Sequence, residues 1–229
     1  MKKVFVVGGS GRVATDLIKD LVVGGSGRVA TDLIKDLVAT GNEVTAGARH
    51  PEKVIKLNHV TAVELNLHDS VEKIAELMKG MNAIYFVAGS RGKDLLQTDA
   101  MGAVKTMQAA EKDGIKRYIM LSSLYALQPE MWSKVPSLAS IMDYNIAKFF
   151  ADNYLISNTN LDYTILQPAN LTEEPGTGKI QIGEGSATSN PIPDVAQTLA
   201  DILQHDNTIG HVIMMRSGDT PIEEALDQI

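Results

Sequence analysis

Residues 6–21 and residues 22–37 spell the same sixteen letters, VVGGSGRVATDLIKDL. An identical tandem copy of that length is not coincidence, and it forces a choice on the fold. Each copy is a glycine-rich turn that opens a helical pattern; in the first, Val13, Leu17, Ile18 and Leu21 recur at helical spacing. One copy has the right chain before it. KKVFVV is a short apolar, β-rich run ending at glycines, and it reads as a strand buried on both faces. The other copy has the right chain after it, the run EVTAGAR.

Beyond the repeat, strand patterns alternate with helical ones. Residues 43–49, 61–67, 82–89, 115–123, 161–168 and 211–217 read as strands, and 179–186 as a hairpin arm. Residues 94–114, 140–159 and 195–205 read as helices, the first with a glycine stop. Such alternation predicts an α/β fold, a doubly wound Rossmann-type parallel sheet with helices on both faces and a small C-terminal substrate-side elaboration. The 229 residues are 44% hydrophobic and carry no Pro/Ser/Gly-rich linker, so a single domain is expected. A net charge of −7 without a basic run argues against nucleic acid or an anionic membrane as partner. The absence of cysteine removes disulfides, thiolate nucleophiles and zinc–thiolate sites, and it fits a reducing cytoplasm. The apolar run at the N-terminus is four residues long, against about seven for a signal peptide and about twenty for a spanning helix. Five scattered histidines show no ligand spacing, so no metal is expected, and no G-x-S-x-G elbow anchors hydrolase chemistry.

Three motifs carry chemistry. The first is Gly8-Gly9-Ser10-Gly11-Arg12-Val13, between a strand and a helix. Glycine permits positive φ and close approach of a pyrophosphate, and the helix N-terminus offers free N–H groups and a positive dipole end. Its bland reading is a plain turn, but strand–loop–helix is the context a dinucleotide fingerprint requires. The same roles fall on Gly24, Ser26, Gly27, Arg28 and Val29 if the second copy is seated. The second motif is Arg49, at the end of the second strand where an NAD site usually places an acid. An arginine there suits a 2′-phosphate, so NADP is expected over NAD; a solvated surface arginine is the plain alternative. The third is Tyr144-Asn-Ile-Ala-Lys148, whose spacing puts phenol and ammonium on one helix face. A nearby cation favours the phenolate, which suits Tyr144 to general acid–base work. Ser122 or Ser123 could hold a substrate oxygen beside it. The plain alternative is a half-buried tyrosine with Lys148 paired to Asp152.

With these motifs in this order, the chain resembles the short-chain dehydrogenase/reductases. It looks most like their atypical NAD(P)-binding branch, near the NmrA-like and epimerase/dehydratase-like proteins. The resemblance covers nearly the whole chain once one copy is set aside. It implies that Ser123 (or Ser122), Tyr144 and Lys148 are the catalytic Ser, Tyr and Lys, with Lys148 also holding the nicotinamide ribose. Asn66 and Leu67 would meet the adenine, and Val87, Ala88 and Gly89 would lie along the cofactor. Pro168, Ala169, Asn170 and Leu171 resemble the segment lining the nicotinamide. The sequence departs from the family pattern at Asp99, where the relay asparagine is expected, and at Ala14 and Ala30 in place of the third glycine. The resemblance further implies a homodimer, through the helices that carry Asp99 and Tyr144. The expected function is NADP-dependent oxidoreductase or epimerase-like chemistry on a small carbonyl or hydroxyl substrate. The rival is an NmrA-type redox sensor that binds NADP(H) without turnover.

The repeat then poses its question. Gly24 to Arg49 spans 25 residues, an ordinary first strand–helix–strand unit, whereas Gly8 to Arg49 spans 41. Seating the second copy behind its own upstream residues, IKDLVV, would bury Asp20 in a central strand, at a cost of at least a few kcal/mol. Seating the first copy makes residues 22–37 an insertion, with an extra helix before the second strand and a bared stripe of Val29, Leu33, Ile34 and Leu37. Loop lengthening costs roughly 1 kcal/mol or less per doubling, so the first copy is the expected one.

Overall fold

The structure, a computed structural model, describes residues 3–7, 26–185 and 189–229. The chain runs β1 (Lys3–Val7), α1 (Ser26–Ala39), β2 (Glu43–Ala48), β3 (Val60–Glu64), α2 (Val71–Met78), β4 (Ala83–Phe86), a π-helical turn (Leu95–Ala100) and α3 (Met101–Lys112). It continues with β5 (Arg117–Leu121), two short helices α4 (Pro129–Trp132) and α5 (Pro136–Ala139), α6 (Met142–Asn158), β6 (Asp162–Pro168) and β7 (Asn170–Thr172). The last elements are β8 (Lys179–Ile182), β9 (Ser189–Pro191), α7 (Ile192–Ile202), β10 (His211–Ser217), β11 (Thr220–Pro221) and α8 (Ile222–Asp227).

One sheet has the order β11-β8-β10-β6-β5-β4-β1-β2-β3, and β7 pairs with β9 in a second, two-stranded sheet. From β3 to β10 the pairing is parallel, while β8 runs antiparallel to β10 and β11. This is the predicted doubly wound α/β sheet. Its central strands are continuous apolar runs because helices cover both faces; all four residues of β4 are buried. The order in which strands are added reverses between β1 and β4, which makes their C-terminal ends the switch point where open α/β sheets bind ligands. One core layer joins α1, α7 and α8 to the sheet, and the other joins α2, α3 and α6.

Among the described residues, the first strand is the one that leads into the first copy, and the helix ahead of β2 is that of the second copy. The expected bared stripe is not bare: Val29, Leu33, Ile34 and Leu37 are each 0% exposed. The reason is α7, against which α1 packs to close the core on that face. A helix with this stripe gains more from the dock than an insertion gains from being cheap to loop out. Helix α1 ends where Gly41 takes φ +84° and Asn42 Nδ2 donates to Leu37 O at 3.0 Å. Residues 8–25, with Gly8, Ser10, Gly11, Arg12, Val13 and Gly24, lie outside the described residues.

Other differences are local. The sequence reading places no helix over Val71–Met78, where α2 buries Ile74, Ala75 and Met78 behind a Ser70 cap. The helix read over 94–114 is two elements, with the π-helical turn ahead of α3. Such turns often mark functional positions, and this one buries Asp99.

Candidate functional site

The parallel strands end along one edge, and backbone bonds continue past them. Val87 N donates to Val7 O at 3.2 Å, Leu65 N to Ala48 O at 2.9 Å, Ser122 N to Leu166 O at 2.8 Å and Leu124 N to Pro168 O at 2.9 Å. The segments carrying the predicted residues therefore leave the sheet on the same side.

Near α1, Arg28 forms an ion pair with Glu173, just past β7. That contact brings the helix start beside the segment of Pro168, Ala169, Asn170 and Leu171. Ser26 and Gly27 open α1, and Val29 belongs to its buried stripe rather than to an open surface. Arg49 is exposed one residue past β2. Its charge helps hold the Asp94 carboxyl low, after the larger effects of hydrogen bonds from Thr98 and His68. His68 Nε2 and Thr98 Oγ1 each lie 2.6 Å from Asp94 Oδ2. Asn66 is exposed and its Oδ1 accepts from His68 N at 3.1 Å, while Leu67 is buried against Gly102 at the start of α3. The sequence reading passed over His68 and Asp94; the only signal was their nearness to Asn66 and Asp99 in the chain.

Val87 and Ala88 are buried and Gly89 is partly exposed. Ser90 N donates to Asp99 Oδ2 at 2.9 Å. Asp99 is 0% exposed, and burial pushes its carboxyl up against the pull of Lys148 and of the Ser90 N–H.

Helix α6 carries a stripe four residues apart: Tyr144, Lys148, Asp152. Lys148 Nζ lies 5.6 Å from the Tyr144 ring centroid and donates to Leu121 O at 3.0 Å. Burial pulls the ammonium down, and the Asp99 and Asp152 carboxylates oppose that. The Tyr144 phenol moves the opposite way from the sequence expectation. Burial, then the carboxylates of Asp99 and Asp152, push it up. The expectation weighed the cation on the helix face against the phenol but not the two carboxylates, Asp99 and Asp152, buried around it.

Ser122 and Ser123 also separate. Ser122 is buried and its Oγ donates to Asp152 Oδ2 at 2.7 Å, so its hydroxyl is spent inside the protein rather than on a substrate oxygen. Gln167 Nε2 donates to the same oxygen at 2.9 Å. Asp152 is fully buried, and burial lifts its carboxyl to about 6 against Ser122, Gln167 and Lys148. Ser123 remains partly exposed. Lys148 and Asp152 do share one helix face, but Asp152 also collects partners from β5 and β6.

Three groups along this edge fit a dinucleotide. Ser90 Oγ and Asp99 Oδ1 are buried without a partner. Asn190 Oδ1 accepts from Ala169 N at 2.9 Å while its buried Nδ2 has none. Unsatisfied polar atoms beside 87–90 and 168–171 are what a polar ligand along those segments would complete. Among the described residues no group of three His, Cys, Asp or Glu could hold a metal, and no helix is long and apolar enough to cross a membrane.

The sequence pattern of a family described as NAD(P)H-binding matches residues 24–206, beginning at the second copy. The chain is 34% identical to the uncharacterized sugar epimerase YhfK of Bacillus subtilis, over 99% of this chain and 100% of that protein. It is also 34% identical to a UPF0659 protein of Saccharomyces cerevisiae, over 99% and 98% of the two chains. Among solved structures, the oxidoreductase YlbE from Lactococcus lactis superposes with a TM-score of 0.89 at 44% identity, covering 99% of this chain and 96% of that one.

Proposed function

The chain belongs to the NAD(P)H-binding family, and on that premise we propose that it is an NADP-dependent oxidoreductase or epimerase-like enzyme. It acts on a small carbonyl or hydroxyl substrate through Ser123, Tyr144 and Lys148. The observation that carries this reading is the Lys148 ammonium, buried on α6 and 5.6 Å from the Tyr144 ring. Relatives named as an oxidoreductase and as a sugar epimerase support the reaction class. Arg49, exposed at the end of β2, favours the 2′-phosphate form of the cofactor.

NADPH, held by the start of α1, Arg49 and Lys148, would supply the hydride. Ser123 orients the substrate oxygen. Tyr144 would give its proton to that oxygen, so that with a hydride added at the carbonyl carbon the product would be a hydroxyl. Lys148 stands beside the phenolate left behind and stabilises it until a proton returns from solvent. Because burial and two carboxylates hold the phenol protonated, the site is set for reduction, in which tyrosine is the donor. Tyr144→Phe is expected to lower hydride transfer by at least about 100-fold and leave NADPH affinity within a few fold. Turnover that survives the change would remove Tyr144 from the mechanism.

A second reading is a redox sensor that binds NADP(H) without turnover. It is favoured by Lys148 Nζ donating to Leu121 O and by the Ser122 hydroxyl being committed to Asp152. NADPH consumption across quinones, flavins and aldehydes separates the two. Tight binding with no consumption on any of them selects the sensor.

A further inference from the structure

Two carboxylates and one ammonium are buried together beneath Tyr144. Asp99 and Asp152 are 0% exposed and Lys148 is 3% exposed. Ionised, the three carry one excess negative charge. Its hydrogen bonding is incomplete: Ser122 and Gln167 both donate to Asp152 Oδ2, and Ser90 N donates to Asp99 Oδ2. Asp152 Oδ1 and Asp99 Oδ1 have no partner. Among the described residues, the groups facing this cluster are Tyr144 and Lys148 from α6, Asp94 from ahead of the π-helical turn, Ser122 from the end of β5 and Gln167 from β6. None of them supplies a second cation. A buried, uncompensated charge is costly, and a ligand that brings a positive charge to this site relieves the cost.

We propose that the excess charge selects the redox state of the nicotinamide cofactor, with Asp152 as the discriminating residue. The oxidised ring is a cation and the reduced ring is neutral, so the cluster favours NADP+ over NADPH. This rests on cofactor binding at the Tyr144–Lys148 site, but not on turnover there. Asp152 is a positioning residue in this account, acting on the ring's charge rather than touching it. The preference is pH-dependent, because the Asp152 carboxyl titrates at about 6. Above that pH Asp152 adds its negative charge to the cluster and the preference is present. As pH falls through it, Asp152 takes a proton and the preference fades. By the same linkage, NADP+ binding draws the carboxyl down and releases a fraction of a proton near that pH beyond what the 2′-phosphate releases with either nucleotide.

The test is calorimetric titration of the full chain with NADP+ and with NADPH from about pH 5 to about pH 8, in two buffers of different ionisation enthalpy. The ratio of the two affinities is expected to move toward NADP+ by about tenfold across that range, with more proton release on NADP+ binding than on NADPH binding. Asp152→Asn should flatten both signals. Ser122→Ala, which removes a donor from the carboxylate, should move the midpoint to higher pH. A ratio that does not change with pH overturns the proposal, and so does a pH dependence that Asp152→Asn leaves intact. If neither nucleotide binds, the proposal falls together with the cofactor reading. If turnover is absent but the ratio titrates, the proposal stands and only the enzymatic reading fails.

Discussion

The two faces of the sheet treat buried acid differently. On one face, Asp36 of α1 is pushed up to about 6 by burial and by the like charges of Asp32 and Asp201. On the other, Asp152 of α6 reaches about 6 by burial, with Ser122, Gln167 and Lys148 all pulling it down. Asp36 stands at the rim of a seam held by a fully apolar stripe, and its charge is a tolerated liability. Asp152 is sealed inside and served by donors from two other strands. A carboxylate that costs this much and is supported this far is the one we propose for the site rather than for the scaffold.

Lys148→Met should break the α6 side most severely. It leaves two buried carboxylates without their cation, and the expected loss is about 3–5 kcal/mol in urea unfolding near neutral pH. The loss should shrink as pH falls through about 6 and Asp152 takes a proton. Wild-type stability in this variant would mean that the cluster does not hold charge.

Next in size is Leu33→Ala on α1, expected to cost about 2–5 kcal/mol because Leu33 is 0% exposed in the α1–α7 seam. The same change at Leu17, the corresponding letter of the first copy, is the control. Equal losses at both would mean that the dock is not reserved for the second copy.

The smallest effect is a gain. The folded state keeps a proton on Asp36 that the unfolded chain gives up between pH 4 and 6, so stability falls as pH rises through that window and stays lower above it. Asp36→Asn removes the fall. It should add about 1 kcal/mol near neutral pH, a figure reduced for the partial exposure of the side chain.

Much of the architecture was legible because it is local. β4, β5 and β6 are apolar runs, and the pattern over 140–159 predicts α6. α2 escaped because eight residues with three buried positions make a weak period. The β7–β9 pair escaped because it joins segments about twenty residues apart with no strand-like pattern in either. At the site, the four-residue spacing announced Tyr144 and Lys148. It could not tell Ser122 from Ser123, nor reveal the charge around the phenol. Both depend on Asp152 meeting β5 and β6, at separations of 30 and 15 residues. The seating of the repeat was illegible in principle. Identical letters have identical propensities, and the dock of α1 on α7 is a long-range contact that they do not announce.

Removing residues 22–37 or residues 6–21 yields the same shortened chain. Titrating NADPH fluorescence against the full chain and that shortened chain tests the central claim most directly, because β1, the strand ends and a helix of α1 sequence are common to both. One NADPH per chain is expected in each. Binding by the shortened chain with none by the full chain would contradict the account.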